Sequence, residues 1–230
     1  VSDRARSALD AALARAHVHV FDVDHTLTRH STGRRFAQAG IRTGAFRRRD
    51  FLSMPWFYFR YRLGSLSLAD ITREIRMIAG MTAGELRAVA AAAWSDFVAA
   101  DLFPEARDHV AACQAAGART VLLSTSFDLI LEPLAQELGV ETVIASELEF
   151  HGDRATGWIV GGPCYAEEKA RRLAAYLGER DLPAGECALY SDSFHDLPSF
   201  QMVGMPVPVN PDGVLRTAAA RAGWPVVRWR

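Results

Sequence analysis

The sequence predicts an α/β fold: a doubly wound, mostly parallel sheet with helices on both faces, interrupted once by an α-helical insertion. Three observations predict it. Apolar runs of strand length alternate with helical patterns from residue 101 onward, the signature of a parallel sheet. A further apolar run, "HVHVFDV" at 17–23, precedes this alternation. Between them, residues 32–98 show helical periodicity and no strand pattern.

Taken in order, residues 5–16 read as a short helix and 17–23 as a strand whose last half is apolar, as for a strand entering a core. "MTAGELRAVAAAAWSDF" (81–97) opens with Thr82 and Glu85 spaced as a capping box, which predicts a helix. Pro104 and Gly117 bracket the next helix in the usual order, proline first and glycine last. "RTVLLS" (119–124) reads as a buried strand, "FDLILEPLAQEL" as a helix stopped at Gly139, and "VETVIAS" as another strand. Residues 147–160 read as a hairpin turning at Gly152-Asp153. Helix 166–178, strand 187–192, strand 206–210, helix 212–223 and a short last strand, "PVVRW", complete the chain. The division this gives is a core of residues 1–30 and 99–230 with an inserted helical cap at 31–98.

Bulk properties narrow the function. Half of the 230 residues are apolar, enough for one core plus a small insertion. A formal net charge of −1 gives no electrostatic footprint for nucleic acid. The absence of an uninterrupted apolar run of about 18 residues predicts no membrane span. Three widely spaced cysteines, Cys113, Cys164 and Cys187, form no disulfide framework or paired metal motif and point to a reducing, cytoplasmic setting. Nothing in the sequence sets an oligomeric state.

The chemistry concentrates where strands end, the place where open α/β sheets bind ligands. "FDVDHTLT" (21–28) puts Asp22 and Asp24 two residues apart at the end of the first strand, with Thr26 beside them. Strand 119–124 ends in Ser124, followed by Thr125 and Ser126. Strand 187–192 ends in Asp192, with Asp196 four residues on, and Lys169 lies near the start of the preceding helix. Two unit charges about 4 Å apart repel by roughly 4 kcal/mol at an effective dielectric near 20, so four carboxylates facing one edge call for cations. Lys169 is one. Carboxylates without a histidine or cysteine pattern select a hard divalent ion, Mg²⁺, which shares its coordination with substrate phosphates.

These residues carry a resemblance over nearly the whole chain. "DVDHT", "LLSTS", Lys169 in "CYAEEKARRL" and "YSDSFHDLP" occur in the order of the four motifs of the haloacid dehalogenase superfamily. The chain resembles its phosphoserine-phosphatase-like branch, which has a Rossmann-like core and a helical cap inserted after the first motif. That resemblance implies a phosphatase acting on a small phosphorylated metabolite. It implies Asp22 as the nucleophile, Asp24 as the general acid and base, Ser124 as a phosphate ligand and Lys169 as a charge partner for both. It implies Mg²⁺ held by the Asp22 and Asp192 carboxylates and the Asp24 carbonyl, with Asp196 and Thr26 supporting them. Thr125, Ser126 and Arg34 are candidate substrate contacts, and Arg35 competes with Arg34 for an anionic substrate group. One position departs from true phosphoserine phosphatases: their amine-binding glutamate, nine residues after the nucleophile, is Ser31 here. Phosphoserine-like compounds, histidinol phosphate and other amino-alcohol phosphates therefore stay open, with lysophospholipid-type phosphates as the alternative. A receiver domain fits less well, because its lysine follows the other motifs and it lacks the acid two residues after the acceptor. Outside the motifs, "MPWFYFRYRLG" (54–64) reads as a cap helix whose aromatics pack over the site, and His25 and His195 read as exposed loop histidines.

Overall fold

The computed structural model describes residues 3–47 and 75–230. The expected aromatic cap helix at 54–64 lies outside the described residues. Helix α1 (Asp3–Arg15) leads into strand β1 (Val18–Phe21). Helix α2 (Thr32–Thr43) follows, then α3 (Ala83–Ala93), which runs on through a π-helical turn, Trp94–Val98. The alternation then begins: α4 (Pro104–Ala115), β2 (Arg119–Phe127), α5 (Asp128–Leu138) and β3 (Thr142–Ser146). A hairpin of β4 (Leu148–His151) and β5 (Arg154–Ile159) interrupts it. Helix α6 (Glu167–Gly178), β6 (Cys187–Ser191), α7 (Leu197–Met202), β7 (Met205–Pro208) and α8 (Gly213–Ala222) complete the set.

The five long-range strands form one parallel sheet in the order β3-β2-β1-β6-β7. Strand β1 is central, with β2 on one side and β6 on the other, so connections diverge from it in both directions. The crevice beyond its carboxyl end is the topological switch point. Side-chain alternation sorts the two faces. Val18, Val20, Val121, Leu123 and Leu189 pack with Leu173, Leu177 and Leu215 of α6 and α8. Phe21, Leu122 and Tyr190 pack with Val110 of α4, Leu131 and Leu134 of α5, and Ala12 of α1. Burial on both faces explains why these strands read as continuous apolar runs. A third cluster joins Phe36, Ala39, Phe46, Ile78, Leu86 and Val89 to Leu129 and Ile130 of α5 and to the hairpin through Leu148 and Ala155.

Two strand boundaries differ from expectation. Strand β2 does not stop at Ser124 but continues to Phe127 past a register shift against β3. Ser146 Oγ donates to the Thr125 carbonyl (2.8 Å) within that irregular stretch. "PVVRW" makes only an isolated bridge, Val227 to Val209, because Pro225 leaves no backbone donor to begin a ladder. The Thr82–Glu85 capping box is present in full, and α5 ends at Gly139 with φ 63°, a conformation that favours glycine.

Beneath the sheet, the sequence reading missed a buried polar cluster. The Tyr190 hydroxyl lies 2.9 Å from His19 Nδ1 and 2.9 Å from His109 Nε2. One hydroxyl carries one proton, so it donates to one ring and accepts from the other. The neighbouring Cys113 thiol is pushed up by burial to about 12, which keeps it protonated. Burial lowers both histidines from 6.5 to about 4. The unfolded chain therefore takes up protons that the fold excludes. Stability is complete above pH 6.5 and is lost as pH falls toward 4. For His109 alone this amounts to on the order of 2 kcal/mol at pH 5. In urea denaturation, the unfolding free energy of the wild type minus that of His109→Gln should fall by that amount between pH 7.5 and pH 5. A pH-independent difference would contradict the buried neutral pair.

Candidate active site

Strand β1 hands its last paired position directly to the site: Asp22 N–H donates to the Tyr190 carbonyl (2.9 Å), so β1 and β6 stay in register up to Asp22. The chain then folds back tightly. The Leu27 and Thr28 amides both donate to the Val23 carbonyl, at 2.9 and 3.1 Å. His25 takes φ 63° at the apex, and fully buried Leu27 anchors the loop. This turn sets Asp22 and Asp24 at the crevice. His25 is exposed, as expected, and its ring bonds the Arg29 carbonyl.

Lys169 is the centre of the arrangement. It sits in the first turn of α6 and is only 3% exposed. The positive end of a helix disfavours a cation, and burial disfavours it further. Two carboxylates offset both effects: Nζ donates to Asp22 Oδ1 at 2.7 Å and to Asp196 Oδ2 at 3.0 Å. The same Asp196 oxygen accepts from Ser191 Oγ at 2.5 Å. Ala166, just before α6, has φ 50°, a strain of about 1–3 kcal/mol for a residue with a Cβ. That backbone aims the first turn of α6 at Asp22. Tyr165, one residue earlier, has its hydroxyl 2.8 Å from His195 Nδ1. This ties the lysine loop to the loop carrying Asp192 and Asp196. His195 is thus half-buried and bonded, contrary to the expectation of an exposed loop histidine.

Asp192 follows β6 directly. Thr26 Oγ1 donates to its Oδ1 at 3.4 Å. Asp212 secures this loop from the α8 side: its Oδ2 accepts from Phe194 N–H (2.8 Å), its own N–H donates to the Asp192 carbonyl (2.8 Å), and its Oδ1 caps α8. Sequence reasoning missed Asp212 in this role, although an Asp-Gly pair opening a helix is a capping signal.

Across the crevice, Asp24 Oδ1 accepts from the Thr32 amide (2.8 Å) and the Thr32 hydroxyl (2.7 Å). Ser126 Oγ lies 2.8 Å from Thr32 Oγ1 and 3.4 Å from Asp24 Oδ2. Buried Ser124 accepts from Ser126 N–H at 3.1 Å. These hydrogen bonds make two groups, Asp22, Lys169, Asp196 and Ser191 in one and Asp24, Thr32, Ser126 and Ser124 in the other, while the Asp192 carboxylate is bonded to Thr26. Thr125 is half-buried with its carbonyl turned to Ser146. Arg34 is exposed on α2. Arg35, its competitor for an anionic substrate group, is committed elsewhere: Nε and Nη2 bind Asp101 at 2.6 and 3.0 Å.

The electrostatics call for a cation. Burial pushes Asp22 up to about 7, with Lys169 pulling it down and Asp196 pushing it up. Burial, then the Asp22 and Asp196 charges, raise Asp192 well above the usual carboxylate range. Two all-oxygen ligands that repel each other at the mouth of the crevice suit a hard divalent ion, which would favour their charged forms.

A family model for haloacid dehalogenase-like hydrolases matches residues 19–201. The chain belongs to that family. Its similarity to curated family phosphatases extends along most of the chain, and the protein is a phosphatase of the haloacid dehalogenase class. A histidinol-phosphatase of Neisseria meningitidis is 30% identical over 92% of this chain and 98% of its own length. A phosphoserine phosphatase of Mycobacterium tuberculosis is 26% identical over 91% of this chain and 70% of its own. Among solved structures, a Bordetella pertussis protein of unknown function superposes with a TM-score of 0.83 at 28% identity, covering 92% of this chain and 98% of that one. A substrate-bound phosphoserine phosphatase superposes at 0.67 with 14% identity, over 88% of this chain and 90% of that one, a likeness of fold.

A raised carboxylate pKa means that the charged form is disfavoured in the fold, so removing that charge should stabilise. Asp192→Asn in chelator is expected to raise Tm by about 2–4 °C, equivalent to about 1 kcal/mol for a chain of this size. The reading is differential scanning fluorimetry in EDTA, and a lowered Tm would contradict mutual repulsion at this spot.

Proposed function

We propose that this phosphatase hydrolyses small phosphomonoesters through an aspartyl phosphate formed on Asp22, with Mg²⁺ as cofactor. The observation that carries the proposal is the buried Lys169 bridge between Asp22 and Asp196 beside Asp192. Lys169 holds Asp22 Oδ1, which leaves the other carboxylate oxygen to attack phosphorus. Asp24 protonates the departing alkoxide and, in the second half-reaction, takes the proton of the attacking water. Ser124 and the turn 124–126 bind phosphoryl oxygens, with Thr125 and Ser126 lining the same side. Asp22, Asp192 and the Asp24 carbonyl would hold the metal, and Thr26 would orient Asp192. Bound there, Mg²⁺ would supply positive charge to the phosphoryl oxygens during transfer.

Residues 31–98 form a lid on a core of 1–30 and 99–230 in this proposal. Its two linkers support the division because they pair with each other. Thr28 bridges Leu102, Phe103 N–H donates to the Leu27 carbonyl (2.9 Å) and Arg29 N–H to the Asp101 carbonyl (2.8 Å). The Arg35–Asp101 pair, with His30 Nδ1 2.8 Å from Asp101 Oδ1, clasps the same hinge. Closing such a lid excludes water and strengthens charge interactions at the phosphate. Amino-alcohol phosphates are the favoured substrates. The near full-length similarity to a histidinol-phosphatase supports that class, and Ser31 at the position of the amine-binding glutamate weighs against phosphoserine itself. Arg34, at the start of α2, has its charge exposed and is the candidate lid contact for a substrate. Three buried free thiols support a reducing compartment, the cytoplasm.

A panel of phosphomonoesters assayed for kcat/KM tests this reading. Histidinol phosphate should exceed phosphoserine and simple alkyl phosphates. All turnover should vanish in EDTA and return with Mg²⁺. Full activity in chelator, or a preference for phosphodiesters, would contradict it.

A further inference from the structure

The two carboxylate oxygens of Asp24 are held unequally. Oδ1 accepts two short hydrogen bonds, from the Thr32 amide at 2.8 Å and the Thr32 hydroxyl at 2.7 Å. Oδ2 has one long contact, 3.4 Å from Ser126 Oγ. Thr32 is 1% exposed, follows the N-cap residue Ser31 and opens α2. Its hydroxyl also lies 2.8 Å from Ser126 Oγ, whose own amide donates to Ser124 Oγ. We infer that Thr32 is a positioning residue for proton transfer: it fixes Asp24 through Oδ1, so that Oδ2 is the oxygen that exchanges the proton with the substrate. This deepens the proposed reaction and rests on Asp24 being its acid and base.

Donor arithmetic separates the two oxygens. An oxygen that accepts two good hydrogen bonds has spent the lone pairs a proton would need. A carboxylate with one oxygen so anchored turns its other oxygen in a fixed direction, and proton transfer needs donor and acceptor within hydrogen-bond reach in a defined pose. The Thr32 amide is one of the N–H groups that a helix N-terminus leaves without an intrahelical partner. Asp24 therefore serves as a second cap on α2 beside Ser31. Any motion that lifts the start of α2 away from the core must break both Oδ1 bonds. The acid is thus correctly aimed only while α2 is seated, and the hydroxyl bridge to Ser126 makes the same seating felt at the phosphate-binding turn. No sequence motif flagged Thr32, because its only local signal is its place one residue after a serine cap.

The test compares single-turnover release of the alcohol from an alkyl phosphate with the burst of p-nitrophenol from p-nitrophenyl phosphate. The first leaving group needs protonation, and the second does not. Asp24→Asn is the control for the underlying reaction: it should slow the alkyl substrate about 10²–10⁴-fold and largely spare the burst. If it slows both equally, the acid assignment itself fails. Given that control, Thr32→Val, which keeps the buried shape and removes only the hydroxyl, should slow the alkyl substrate about tenfold with the burst within about twofold, a partial form of the same effect. Thr32→Ser should restore both to near wild type. Thr32→Ala, which removes the same hydroxyl with less bulk, should show the same selectivity, and it keeps the test decisive should the valine variant fold poorly. Equal slowing of both substrates by Thr32→Val and Thr32→Ala, or no change in either, would overturn the positioning role while leaving Asp24 as the acid.

Discussion

One ammonium group organises this molecule. Lys169 is buried at the positive end of a helix, where both solvation and the helix dipole oppose it. The paired carboxylates of Asp22 and Asp196 make that position tenable. Each partner comes from a different strand–loop unit, so the three-way contact exists only if β1 and β6 are neighbours and α6 returns beside them. The sheet order provides that neighbourhood. The positive φ at Ala166 and the Tyr165–His195 bond are the local devices that bring the lysine to it.

The rest of the crevice follows from the same charge balance. With Lys169 engaged by two carboxylates, burial and then the Asp22 and Asp196 charges disfavour the charged form of Asp192. A phosphatase that brings a dianionic substrate to this place needs further positive charge, and a hard cation held by Asp22 and Asp192 would meet that need. On the far side, Asp24 is held apart from this cluster by Thr32 and Ser126. Two carboxylates two residues apart thus acquire different environments: one faces an ammonium, the other a set of neutral hydroxyl and amide donors. Such division is how neighbouring acids take different roles.

Much of this was legible in the sequence because it is local. The alternation of apolar runs fixes which segments are strands, and burial on both faces of β1, β2 and β6 makes those runs continuous. The motif aspartates mark strand ends, and the Thr82–Glu85 spacing marks the start of a helix. What could not be read depends on contacts between distant segments. The His19–Tyr190–His109 cluster joins residues 81 and 171 positions apart, and no periodicity announces it. Ser124 looked like the end of a strand, but the register shift that carries β2 on to Phe127 belongs to the pairing with β3. Arg35 looked like a candidate for substrate until Asp101, 66 residues away, claimed its guanidinium. His195 looked exposed because its partner, Tyr165, lies 30 residues upstream.

The identity of the atom that accepts the phosphoryl group decides the proposed reaction. Mixing the Asp24→Asn variant with Mg²⁺ and p-nitrophenyl phosphate, whose leaving group needs no proton, should let the phosphoenzyme accumulate, since water activation in the second step is impaired. Quenching in acid and reading intact mass and peptide fragments should then find one phosphoryl group, on Asp22. A phosphoryl group on any other residue, or turnover by this chain with no trapped adduct at all, would contradict the central claim.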